Sequence, residues 1–204
     1  LLQVHEEQIT LLGEQQAHRK LAEIFQQPFD VNELCTKVIT FLSEYTNSQV
    51  GALYIRPYGK EQDLHLAGTY AFTRRKHLVT KIASGTGLVS EAVIEKQSIL
   101  LTDVPDDYIQ ISSGFGEAVP GNVLVVPMLH AGHVKGVMEL GSFELPSERL
   151  IASLESMGKS FAIALDVLQA KEQAEQLLLM TQKQTEALHC QQQEMVAKNE
   201  ELQK

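Results

Sequence analysis

Tryptophan is absent from this chain, and Phe, Tyr and Trp together make up 6% of its 204 residues. Any core must therefore be built mainly from aliphatic side chains. Positive charge is also scarce: 17 Lys and Arg face 26 Asp and Glu, a formal charge of −9. Phosphate backbones are bound by basic surfaces, so this balance excludes nucleic acid as a partner. Cysteine occurs twice, at Cys35 and Cys190, in neither a disulfide framework nor a zinc spacing. That usage fits a reducing cytosol, and the expected location is cytoplasmic. No long hydrophobic run is present. The longest, Val123 to Leu129, contains Pro127 and is too short to span a bilayer, so no membrane contact is expected of this segment. Gln3, His5, Glu6 and Glu7 interrupt any apolar opening, which argues against a signal peptide. Both ends read as cuts within a longer protein, whose parent chain could itself be membrane-anchored.

Hydrophobic residues at 44% are enough for one packed domain with helix to spare. Proline and glycine divide the chain. All six prolines and twelve of the thirteen glycines fall between about Phe25 and Val167. The flanks are rich in Gln, Glu, Lys, Leu and Ala, which predicts helix, mixed domain, helix. In the C-terminal flank Val167, Ala174, Thr181, Leu188, Met195 and Leu202 recur every seven residues as d positions. Ala164, Lys171, Leu178, Thr185, Gln192 and Asn199 fall on a. A sustained seven-residue repeat predicts a left-handed coiled coil, hence a homodimer, and polar a residues fix register at a cost in stability. The N-terminal flank carries a weaker stripe, Leu2, His5, Ile9, Leu12 and Gln16, which shifts near Gly13 to Ala17, Leu21 and Ile24.

In the middle, Asp30 and Glu33 form a capping pair opening a helix with a buried stripe of Val31, Leu34, Cys35, Val38, Phe41, Leu42 and Tyr45. Strands are expected at Val50 to Arg56, Asp63 to Tyr70 and Ser98 to Val104, with a short helix from Leu88 to Glu95 capped by Thr86. Val123 to His130 and Val134 to Ser142 read as a hairpin around Ala131-Gly132-His133. A long helix starting near Ser147 buries Leu150, Leu154, Met157, Phe161 and Ala164, then runs into the coiled coil.

Chemistry-bearing motifs are few. Gly85-x-Gly87 lacks the Lys-Ser/Thr pair of a phosphate-binding loop. His130 and His133 flank a turn without a third ligand nearby, so no metal is expected. His189 sits on the coiled coil beside Cys190 and reads as surface. Arg74, Arg75, Lys76 and His77 form a basic cluster, either a solvated turn or a contact for an anion or partner domain. The segment Asp106 to Asn122 is long for a loop in a compact domain, which marks it as a candidate lid. Its Tyr108, Ile111, Ser112, Ser113 and Phe115 either line a small-ligand pocket or plug the sheet face.

The element order resembles the GAF fold. Gly85-Thr86-Gly87-Leu88-Val89 is similar to that family's glycine turn, and Ile99 to Pro105 to the strand after it. Asp107-Tyr108, Ser112-Ser113-Gly114 and Gly116-Glu117 resemble the lid loop of GAF domains in bacterial hybrid histidine kinases. Val126-Pro127, Gly132 and Gly136-Val137-Met138-Glu139-Leu140 resemble the closing hairpin, and Asn199-Glu200-Glu201-Leu202 the linkers that enter a kinase core. The resemblance implies an α+β fold, a GAF-like antiparallel sheet with helices, flanked by dimerising helices. The expected divisions are 1–23 for the N-terminal signalling helix, 24–165 for the sensory domain and 166–204 for the coiled-coil linker.

Several relatives of that fold act through specific residues. Bilin photoreceptors and methionine-sulfoxide reductases of this fold use pocket cysteines, whereas here Cys35 lies on a buried stripe and Cys190 outside the domain. No covalent bilin, cofactor or catalytic residue is therefore expected. Gly141-Ser142-Phe143-Glu144 does not match the cyclic-nucleotide motif of phosphodiesterase relatives. Glu139 does match a position where such relatives turn a carboxylate into the pocket. The resemblance thus implies a sensory module with a small-molecule ligand and an output domain, a histidine kinase, in the same chain. The alternatives are a ligand-free dimerisation module and a GAF-fold enzyme.

Overall fold

A computed structural model describes residues 2–57, 63–71, 81–82, 85, 87–105, 108, 111–113 and 116–202, with side chains of 2–10, 112, 113, 116, 117, 197 and 200–202 outside that description. Thr86 and the cluster Arg74 to His77 lie outside the described residues.

Helix α1 covers Leu2–Phe25 and buries Ala17 and Leu21 of its shifted stripe, with Ile24 half-buried. Helix α2, Val31–Tyr45, opens on the Asp30–Glu33 pair. The Glu33 backbone N–H donates to Asp30 Oδ1 at 2.8 Å and the Asp30 N–H to Glu33 Oε2 at 3.4 Å, a reciprocal box that satisfies two end donors. Its buried face is wider than the expected stripe. Ile39 and Ser43 are buried as well, while Val31 and Tyr45 are half-buried, because α2 packs against both α1 and the sheet.

Strands β1 (Val50–Ile55), β2 (Leu64–Tyr70), β3 (Lys81–Ile82), β4 (Ile99–Leu101), β7 (Asn122–His130) and β8 (His133–Ser142) form one sheet in the order β3-β2-β1-β8-β7-β4, every described pairing antiparallel. The β7–β8 turn is the two residues Ala131 and Gly132, with φ of 49° and 78°. Two consecutive left-handed residues match the twist of a two-residue hairpin, and glycine is at home at the second. His133, expected in the turn, instead opens β8. Helix α3, Gly87–Glu95, lies on one sheet face and contributes Val89 and Ala92 to a core with Ala52, Val125 and Val137.

The opposite face carries α2 and residues 148–166 of α4, a helix assigned over Glu148–Leu202. Ser147 caps α4, its Oγ accepting from the Leu150 N–H at 3.2 Å. Leu154, Met157 and Phe161 are fully buried, and the Phe161 ring lies 6.2 Å from that of Phe25 on α1. Arg149 clamps Glu14 of α1 with bonds of 2.6 and 3.2 Å, which hold that carboxyl below its ordinary range. The chain divides into two compact units, Leu1–Asp166 and Val167–Lys204. Within the second, the described residues are helix, with Val167, Leu178, Leu188 and Met195 exposed. Among the described residues, no helix is long and apolar enough to cross a membrane.

Candidate functional site

The candidate lid proves to contain structure of its own. Residues Ile111–Ser113 (β5) and Gly116–Ala118 (β6) pair antiparallel as a second, two-stranded sheet, and Asn122 belongs to β7. Tyr108 precedes this hairpin, its N–H donating to Pro105 O at 3.0 Å.

Strand alternation puts Glu139 of β8 on the α3 face, opposite Ala52 on one neighbour and Val125 on the other. The surroundings of this half-buried carboxylate are chiefly apolar, so burial raises its pKa above the ordinary carboxylate value. Tyr108 answers part of that cost: its hydroxyl donates to Glu139 Oε1 at 2.9 Å. Tyr54 of β1, buried on the same face, is close enough to feel the charge. Burial foremost, then the Glu139 charge, pushes both tyrosine hydroxyls up, so they stay protonated donors. The arrangement presents a carboxylate with acceptor capacity left over, beside a tyrosine of the candidate lid segment.

The sequence-predicted residues divide accordingly. Tyr108 and Glu139 are brought together, and Ile111 is half-buried in β5. Ser112 and Ser113 are in the same strand with side chains outside the described residues, as is Phe115 entirely. Tyr54 was missed, because a tyrosine in Val50–Ile55 reads as one more apolar strand residue.

Other candidates are placed elsewhere. Among the described residues no group of three or more His, Cys, Asp or Glu is disposed to hold a metal ion. A cavity of about 240 Å³ opens on the α4 face of the sheet, lined among others by Thr46, Ser48, Leu140, Ser147 and Leu154. Cys35 has no exposed surface, and burial, followed by the Asp30 charge, pushes its thiol up to about 12. A thiol of that kind is protonated and sealed, the reverse of a reactive one. With a thiol-reactive chromogenic disulfide at pH 8, the native chain is expected to react once, at exposed Cys190. Cys35 should follow at least about three orders of magnitude more slowly, limited by unfolding. Equal rates for the two thiols would mean that the α2 face is open.

A six-stranded antiparallel sheet with helices on both faces is the architecture of a class of domains that generally serves signalling or ligand binding. The chain belongs to the GAF domain family, which matches residues 30–166. Among curated proteins, no sequence relative matches. The fold is similar to that of the GAF domain of a phosphoenolpyruvate-protein phosphotransferase from Coxiella burnetii, at 17% identity and TM-score 0.65 over 79% of this chain and 97% of that one. The corresponding domain from Acinetobacter gives 12% identity and TM-score 0.63, covering 78% and 97%. A free methionine-R-sulfoxide reductase from Neisseria meningitidis, solved with its substrate, gives 18% and 0.61, covering 78% and 91%. Enzymes and enzyme-attached GAF domains thus share the fold.

Proposed function

We propose that this chain is a cytoplasmic sensory module that binds a small ligand under the lid. It dimerises through its helices and passes a change in helix packing to an output domain of the same protein, a histidine kinase. The observation that carries the ligand reading is Glu139, a desolvated carboxylate whose one described hydrogen bond comes from the lid residue Tyr108. A half-buried carboxylate in chiefly apolar surroundings is costly unless further donors reach it, so the proposed ligand carries an amine, amide or other N–H group. Ligand entry that moves Tyr108 would move the lid with it. Transmission requires that the ligand favour one helix arrangement over another, since a ligand indifferent to both shifts nothing. Signalling without catalysis is supported by the two thiols: Cys35 is sealed, and Cys190 belongs to the second unit.

The test is a thermal-shift screen of free amino acids and small amines on the intact chain, with native mass spectrometry of the purified protein. A ligand at ~100 Kd should add ~2.7 kcal/mol to stability, and Glu139→Ala should abolish that gain while the fold persists. A retained gain would remove Glu139 from the site. If no compound binds and no small molecule copurifies, the ligand-free dimerisation module stands instead. Catalytic activity that survives the loss of both cysteines would revive the enzyme reading.

The carboxylate also leaves a trace in stability. Because burial raises Glu139 above its ordinary 4.5, the folded state holds the proton more tightly than the unfolded one. That contribution is fully present below pH 4.5 and is lost as pH rises through the raised folded value. Glu139→Gln removes the loss, so its Tm advantage over the wild type should grow with pH in that window. Parallel Tm profiles would mean that the carboxylate is solvated.

A further inference from the structure

The tip of the β7–β8 hairpin is gripped from two sides. His130 and Lys135, just either side of the turn, both reach Asp166 on α4. His130 Nδ1 lies 2.6 Å from Oδ2 and Lys135 Nζ 2.8 Å from Oδ1, so each carboxylate oxygen has its own partner. Asp166 is the last residue of the first unit, in the helix that continues into the second. From the other side, Lys96 Nζ donates to the Gly132 carbonyl at 2.7 Å. Lys96 directly follows α3, in a left-handed conformation with φ of 55°, and α3 is the helix that covers the Glu139 face.

We propose that this hairpin tip is a joint coupling α3 to α4, with Asp166 as its clasp on α4 and Lys96 as its clasp on α3. A displacement of α3 is handed to α4 through the turn end of the β7–β8 hairpin. The inference stands on these contacts and does not depend on whether the Glu139 face binds a ligand.

Exposed ion pairs commonly contribute little, since solvent screens them and two long side chains must be ordered. Three features set this one apart. The Asp166, His130 and Lys135 side chains are 27%, 39% and 29% exposed, so screening is incomplete. One carboxylate is shared between two donors. Burial alone would raise Asp166, yet the hydrogen bonds and charges of Lys135 and His130 outweigh it and hold the carboxyl below its ordinary range. The tip itself is stiff. Both of its residues are left-handed, which fixes the direction of the Gly132 carbonyl, and the Arg56 N–H donates to Lys135 O at 2.9 Å at its base. Pulling on either clasp therefore moves the tip as a piece. Energetic coupling is reciprocal, so loosening either clasp must be felt at the other.

Hydrogen-exchange mass spectrometry of the intact chain tests this with Asp166→Asn, Lys135→Met and Lys96→Met. Asp166→Asn and Lys135→Met are expected to speed exchange by roughly tenfold at the tip and also in the last turn of α3. Lys96→Met should speed it at the tip and around Asp166 in α4. Using three variants keeps the test intact should one of them fold poorly. If each variant alters exchange only in its own element, with the far clasp unchanged, the joint does not exist and these are local surface contacts.

Discussion

Gly68→Val is expected to cost about 3–5 kcal/mol and to lower Tm by about 10 °C or more. Gly68 lies in β2 directly beneath α2. A Cβ there would sit 2.7 Å from the carbonyl carbon and oxygen of Cys35 and 2.8 Å from the Thr36 nitrogen. All three are backbone atoms of one helix, so no rotamer change can make room. Either α2 lifts from the sheet, exposing Cys35 and Val38, or the strand bends away from β1. Valine adds two further carbons to that clash. Gly13 in α1 is the control, because nothing lies within 4 Å of a Cβ placed there. Gly13→Ala should be neutral or stabilising by up to ~1 kcal/mol, as expected where only helix propensity changes. Thermal melts followed by far-UV circular dichroism measure both. Equal, small effects would mean that α2 is only loosely packed on β2 at Gly68.

The contrast between these two glycines illustrates what could be read from the sequence. Proline and glycine content marks the flanks off from the middle of the chain, yet nothing in the neighbours of Gly68 announces a helix backbone 2.7 Å away. Local chemistry was legible. The Asp30–Glu33 box acts over three residues, and the β7–β8 hairpin is written in alternation and a turn glycine. Glu139 is singled out only through the family resemblance carried by Gly136 to Leu140, and the fold sets it beside Tyr108. Tyr54 is not singled out, since it blends into its strand, and the lid strands β5 and β6 are three residues each, too short to show a period.

The joint at the hairpin tip was hidden for a different reason. His130 and Asp166 are 36 residues apart, as are Lys96 and Gly132. A histidine beside a turn reads as solvated until the fold brings a helix alongside it. The width of the buried face of α2 has the same origin: Ile39 and Ser43 are covered because two elements pack on one helix, and periodicity alone reports a single stripe.

In the proposed function the C-terminal helix pairs with a second copy in parallel and would carry the signal along a fixed register. Leu188 falls at d in that register and Cys190 at f, and both are exposed in the single chain, Leu188 by 66%. Paired d residues face each other across the seam, within the ~4.4–6.8 Å between Cα atoms that a disulfide tolerates. Paired f residues lie on outer surfaces of helices whose axes are already ~8–10 Å apart. Gln192 and Asn199 at a positions favour two parallel strands over a larger bundle. The direct measurement is oxidative cross-linking, read on non-reducing gels at several protein concentrations. Leu188→Cys in a Cys190→Ser background is expected to form covalent dimer rapidly and independently of concentration. The native Cys190 should give only slow product that rises with concentration, from collisions between dimers. Efficient linking through Cys190 with none at position 188 would contradict the register, and with it the route by which the signal leaves the domain.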